Sequence, residues 1–144
     1  MSSPVTGVST VANEFNWLVN RFAQHTAGAI AAIAVSADGL LMALSEGLPQ
    51  QDAERIAAIS SAVLGLANGV SDSYPLGPPD KVVIELQQGY LLVCTISIGC
   101  SLGVLATKQA GLGALAYEMA VFANRASEVL NPQLIEELKN TVGQ

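Results

Sequence analysis

The chain reads as an α+β domain: an antiparallel five-stranded sheet sandwiched between helices in the order α-β-β-α-β-β-β-α, followed by a short C-terminal helix. Three observations lead there. Residues Lys81 to Thr107, KVVIELQQGYLLVCTISIGCSLGVLAT, divide at Gln88-Gly89 and at Gly99 into three strand-length pieces, the pattern of a meander with two tight turns. The middle piece, Tyr90 to Ile98, is apolar on both faces, with Leu92, Cys94, Ile96 and Ile98 on one and Leu91 and Val93 on the other. A strand of that kind needs cover above and below. The stretches before and after the meander repeat apolar residues at helical spacing and supply that cover.

Residues 1–9 are small and polar and are expected to form a disordered tail, with the folded domain spanning 10–131 and a short helical tail spanning 132–144. Thr10 is placed to cap a first helix whose Val11, Phe15, Leu18 and Phe22 form an apolar stripe, with Trp17 near its edge. Ala29 to Ser36 and Leu40 to Leu44 flank an Ala37-Asp38-Gly39 turn and read as a hairpin. A long helix follows, from about Gln50 to Ser73. Ile56, Ile59, Val63, Leu66 and Val70 are expected to pack on the sheet, leaving Ala57, Ser61, Gly65 and Asn68, with Ala58 and Leu64 at the margins, on the opposite face.

That opposite face is unusual. No charged residue lies between Arg55 and Asp72, whereas a helix face meeting only water carries Lys and Glu. Small uncharged residues admit a second backbone, so this face is expected to pair with another helix. The proline-rich connector SYPLGPPD, residues 73–80, then delivers the chain to the meander. A helix over Ala110 to Leu130 has a core stripe of Leu112, Leu115, Met119, Phe122 and Ala126, and Asn131-Pro132 starts the tail helix.

Composition narrows the function. Hydrophobic residues make up 51% of the 144 residues and charged residues 12%, about half the usual charged share of roughly 25%. That little charge implies apolar surface covered by another chain. A net charge of −6 with scattered Lys and Arg argues against nucleic acid and against anionic lipid. Cys94 and Cys100 have no metal or disulfide spacing and read as buried thiols of a reducing compartment. No signal peptide is visible, and no apolar run of about 18 residues occurs. A cytoplasmic location without membrane insertion is therefore expected.

Catalytic equipment is sparse. His25 is the only histidine and has no serine or cysteine nearby in sequence. Neither a phosphate-binding loop nor a dinucleotide fingerprint occurs, and Asp38-Gly39 lacks the acidic ladder of a calcium loop. No catalytic residue, cofactor or metal site is expected.

The element order, together with FNWLVNRFAQHTAG, AVSADGLLMALSEGL, the long uncharged helix and LGALAYEMAVFANR, resembles the roadblock (dynein light-chain) domain. The bacterial branch it resembles includes the gliding-motility regulator that partners a Ras-like small GTPase, and actinobacterial proteins encoded beside a sensor kinase and a small GTPase. The resemblance implies a non-enzymatic homodimeric adaptor whose sheets join edge to edge and whose second helices pair as a platform for the GTPase. Carried onto this chain, the interface comprises Arg55, Ala57, Ala58, Ser61, Leu64, Gly65 and Asn68 of the second helix, and Val83, Glu85 and Gln87 of the strand after the connector. Two alternatives stand beside it: a small-molecule sensor with a pocket between helix and sheet, and an assembly scaffold that needs no GTPase.

Overall fold

The computed structural model describes residues 9–142. In chain order its elements are α1 (Thr10–His25), β1 (Ala29–Ser36), β2 (Leu41–Leu44), α2 (Gln50–Ser73), β3 (Lys81–Leu86), β4 (Gly89–Ser97), β5 (Cys100–Thr107), α3 (Leu112–Ser127) and α4 (Pro132–Thr141). The strands form one antiparallel sheet in the order β2-β1-β5-β4-β3. The main core lies between the sheet and α1, α3 and α4, around Phe15, Met42, Leu92, Leu102, Leu115 and Met119. A smaller cluster around Ile33, Val35 and Leu41 lies under α2 on the other face. The sandwich expected from the sequence is the observed fold.

Local chemistry explains most boundaries. The expected tail over residues 1–8 lies outside the described residues, but Ser9 does not behave as tail. Its hydroxyl accepts from the Ala12 N–H at 3.1 Å and caps α1, in place of Thr10. Phe15, Leu18 and Phe22 are buried with Ala12 and Val19, which turns the stripe away from Val11 and leaves that residue exposed. Trp17 is 53% exposed.

In the meander, Leu92, Cys94 and Ile96 face the main core, and Leu91 and Val93 are buried on the other side. Two details differ from expectation. The first turn is Gln87-Gln88, and Gly89 belongs to β4 without a positive φ. Its glycine is needed for close approach instead, because a Cβ there would lie 2.6 Å from the Ala106 carbonyl oxygen. Ile98, expected in the apolar face of β4, is almost fully exposed, since β4 ends at Ser97 and Ile98 and Gly99 (φ +88°) form the second turn.

The expected tail helix is tied into the domain. The Asn131 side chain accepts from the Leu134 N–H at 2.8 Å, Pro132 occupies the first turn, and Leu134 and Leu138 are buried in the main core. Lys139 bridges Asp38 at 3.5 Å and Glu136 at 2.9 Å. The Ser9 backbone N–H and hydroxyl both donate to Glu137, at 2.6 and 2.9 Å.

Both cysteines are free and buried. Burial disfavours the thiolate, pushing Cys94 up to about 11 and Cys100 up to about 12. Two results follow. Neither thiol is expected to react with iodoacetamide at pH 8 in the folded protein, and both are expected to react once urea unfolds it. Above about pH 9 the unfolded chain releases thiol protons that the folded chain retains, so stability falls with rising pH by up to about 1.4 kcal/mol per pH unit per thiol until the folded thiols titrate. Titration of the urea midpoint from pH 7 to 10 measures this fall, and a Cys94→Ala/Cys100→Ala variant loses it.

Candidate protein-interaction surface

The surface is built on α2. Pro49 leads into it without a side-chain cap, and Asp52 lies in its first turn, where a carboxylate suits the positive end of the helix dipole. Ala53, Ala57 and Ser60 are the buried residues. They share one stripe at i, i+4 and i+7, and it packs on the sheet. Leu64 and Ser61 are half-buried beside it, and the Ser61 hydroxyl lies 3.5 Å from the Ala37 carbonyl, its acceptor.

This corrects the expected orientation of the helix in part: Ile56 packs on the small cluster as expected and Val63 is half-buried. Ala57 is fully buried and is unavailable to another chain, while Ile59 (44%), Leu66 (74%) and Val70 (53%), expected in the core, are exposed. The cause lies in the sheet. Gly103 of β5 is paired with Ile33 and Val93, and a Cβ on Gly103 would stand 2.7 Å from the Ser60 hydroxyl oxygen. The middle of the sheet therefore offers a shallow seat that only small residues fill, and α2 turns its alanine and serine stripe inward. The signal was present in the sequence as a glycine in the central strand, but its partner cannot be assigned without knowing where the helix crosses.

Ser60 Oγ is buried and has no hydrogen-bond partner among the described residues, so its place is steric. Gly103→Ala is expected to cost about 1–3 kcal/mol by overpacking, and Ser60→Ala to be near neutral or slightly stabilising, since it removes a buried unsatisfied hydroxyl. In the Ser60→Ala background the Gly103→Ala penalty shrinks. A double-mutant cycle by urea unfolding reads the coupling, and strict additivity would contradict the contact.

The outward face of α2 carries Arg55, Ala58, Gly65 and Asn68, all exposed, alongside Ile59, Leu66 and Val70. A Cβ at Gly65 or at Gly69 would meet nothing within 4 Å. Neither glycine is needed for packing within the chain, although each costs a helix interior about 1 kcal/mol. From the same helix, a groove of about 480 Å³ runs past Ala67, Val70, Leu76 and Pro78 to Lys81 and Val83. It connects the exposed apolar flank to β3, an edge of the sheet. Val83 and Glu85 lie opposite Leu92 and Tyr90, so their side chains share the α1/α3 face. Glu85 pairs with Lys108, whose ammonium also stands 4.6 Å over the Tyr90 ring. Gln87 lies in the turn rather than the strand, which corrects its assignment to the pairing edge.

On the other flank of α2 a cleft of about 520 Å³ opens toward the β4–β5 turn, with Ser61, Leu64, Gly65 and Asn68 on one wall and Thr95 and Ser101 on the other. It has no charged lining residue. His25 is exposed in the last turn of α1. Among the described residues no cluster of His, Cys, Asp and Glu is arranged to hold a metal ion, and no helix is long and apolar enough to cross a membrane.

Comparison with known proteins agrees with this architecture. No curated protein gives a significant match. A roadblock/LC7 domain from Streptomyces avermitilis is 30% identical, with a TM-score of 0.74, over 78% of this chain and 94% of that one. MglB of Myxococcus xanthus shares the fold at 12% identity, TM-score 0.73, over 81% and 94% of the two chains. The gliding protein MglB of Thermus thermophilus does so at 15% identity, TM-score 0.67, over 90% and 93%. The profile of the Roadblock/LC7 domain matches residues 15–106, and the chain belongs to the Roadblock/LC7 domain family.

Proposed function

We propose that this protein is a non-enzymatic homodimeric adaptor of the cytoplasm that binds and regulates a Ras-like small GTPase within a signalling complex. The observation that carries the reading is the outward face of α2. It is free of charge between Arg55 and Asp72, exposes Ile59, Leu66 and Val70, and joins an unpaired sheet edge through an open groove. Apolar exposure of this kind is a liability for an isolated chain and an asset for one that pairs. Dimer contacts then run along Ala58, Leu66, Gly65 and Gly69 and along the β3 edge at Val83. The GTPase sits on the resulting platform, and Arg55 and Asn68 lie at its margin. Regulation works by positioning the GTPase's own switch elements rather than by inserting an arginine. Affinity capture from the native cytoplasm tests this: the wild-type bait enriches a small GTPase identified by mass spectrometry, and a Leu66→Arg bait does not. A dimeric bait that enriches no GTPase overturns the reading.

The uncharged 520 Å³ cleft favours one second reading, a sensor for a neutral polar metabolite. A metabolite that raises the melting temperature of the parent but not of an Asn68→Tyr variant would favour the sensor over the adaptor.

A further inference from the structure

We infer that the groove between α1 and α3 is a second docking surface, which takes an acidic amphipathic segment of a partner protein. It lies on the opposite side of the sheet from α2 and goes beyond the adaptor reading above. The floor is apolar, formed by Leu18, Val121 and the edge-to-face pair Phe22 and Phe122, whose ring centroids are 5.5 Å apart. The rim is basic, formed by Arg21, His25 and Arg125, with Glu118 the one carboxylate among the lining residues.

Basic side chains are concentrated at this rim. The chain has six Lys and Arg and a net charge of −6, yet two of those six arginines and lysines, with its only histidine, meet at this groove. Lys108 and Lys139 pair with carboxylates of the chain itself. Arg21 and Arg125, like Arg55 and Lys81, have no ion pair among the described residues, and of these four Arg21 and Arg125 are the two that line this groove together. Arg21 instead stacks 5.2 Å from the centre of the Trp17 ring. Trp17 (53%) and Tyr117 (67%) are exposed on the outward faces of the same two helices. Neither lines the groove itself, and Trp17 is joined to its rim through Arg21; Trp, Tyr and Arg are the residue types enriched in binding hot spots.

The occupant follows from size and charge. The groove holds about 250 Å³, below the roughly 300–1,000 Å³ of small-molecule sites but enough for anchoring side chains. Carboxylates match free guanidiniums in bidentate geometry, and lysines would be repelled by them. A nucleic acid or lipid surface would meet the acidic remainder of the chain.

Trp17 is the only tryptophan, so its emission reports occupancy in the full-length protein. The probe is a 14-residue helical peptide with glutamates on one face and leucines on the other, set against the same peptide with lysine for every glutamate. A saturable change in Trp17 emission is expected with the glutamate peptide only, weakening as salt is raised. Calorimetry, which does not depend on the environment of Trp17, is expected to show affinity at least about tenfold weaker for Arg21→Glu/Arg125→Glu. Circular dichroism and mass establish that this variant keeps the parent fold, and Arg125→Gln alone serves if it does not. Equal binding of the lysine peptide, unchanged affinity in the charge-altered variant, or no saturable response to the glutamate peptide overturns the proposal. A matching response to inorganic phosphate alone also overturns it, by reducing the groove to a small-anion site.

Discussion

Gly28→Ala is expected to destabilise the domain by about 2–5 kcal/mol, the largest effect of any change that adds one carbon. Gly28 has φ +84°, a conformation that costs an L-residue about 1–2 kcal/mol. The added Cβ would also stand 2.4 Å from the Ala110 Cβ and 2.8 Å from the Ala110 Cα. Neither side can yield cheaply. The Thr107 N–H donates to the Gly28 carbonyl at 2.8 Å, and the Ala110 N–H donates to the Thr107 carbonyl at 3.1 Å, so the two backbones are pinned together at the end of β5. Gly47 is the internal control, with φ +86° and nothing within 4 Å of its would-be Cβ. Gly47→Ala should therefore show the conformational cost alone. Urea midpoints at one fixed protein concentration measure both, since any self-association adds to apparent stability. Equal penalties at the two sites would contradict the packing of Gly28 on Ala110.

Leu138→Ala is expected to cost about 2–5 kcal/mol and to lower the midpoint of the whole domain in a single transition. Leu138 is fully buried in the main core, although it lies in the segment that the sequence suggests is an appended tail. If α4 were only peripheral, the variant would fray that helix and leave the unfolding of the sheet in place. Far-ultraviolet dichroism and Trp17 fluorescence followed in the same urea titration separate the two cases. Coincident shifted transitions are expected, and an unshifted fluorescence transition would mark α4 as dispensable.

The fold was legible because its signals are local. Alternation through Val82–Leu86, the glycine breaks, the Asn131-Pro132 cap and the 3.6-residue spacing of Phe15, Leu18 and Phe22 each specify an element without reference to the rest of the chain. The orientation of α2 was not local. By size alone, Ile59, Leu66 and Val70 belong inside and Ala57 outside. The reverse holds because Gly103, over forty positions away from Ile59 in sequence, shapes the seat on which the helix rests. What survived from the sequence was the anomaly itself, a long helix without charge. Gly65 and Gly69 face open space, Ser61, Leu64 and Gly65 line the uncharged cleft, and Ala57 is a packing residue. The α1/α3 groove was equally hidden, because Arg21 and Arg125 are over a hundred positions apart and become neighbours only when α1 and α3 pack side by side.

The central claim is that the exposed flank of α2 is an interface between two copies of this chain, and the molar mass of the protein in solution tests it most directly. Light scattering across a concentration series should give twice the 14.8 kDa chain mass for the parent. It should give the single-chain mass for Leu66→Arg over the same range, an association at least about 30-fold weaker. Because Leu66 is 74% exposed, the variant is expected to keep its circular dichroism spectrum and to lose no more than about 0.5 kcal/mol of intrinsic stability. A parent that stays at the single-chain mass at high concentration, or a Leu66→Arg protein that remains fully dimeric, would contradict the interface.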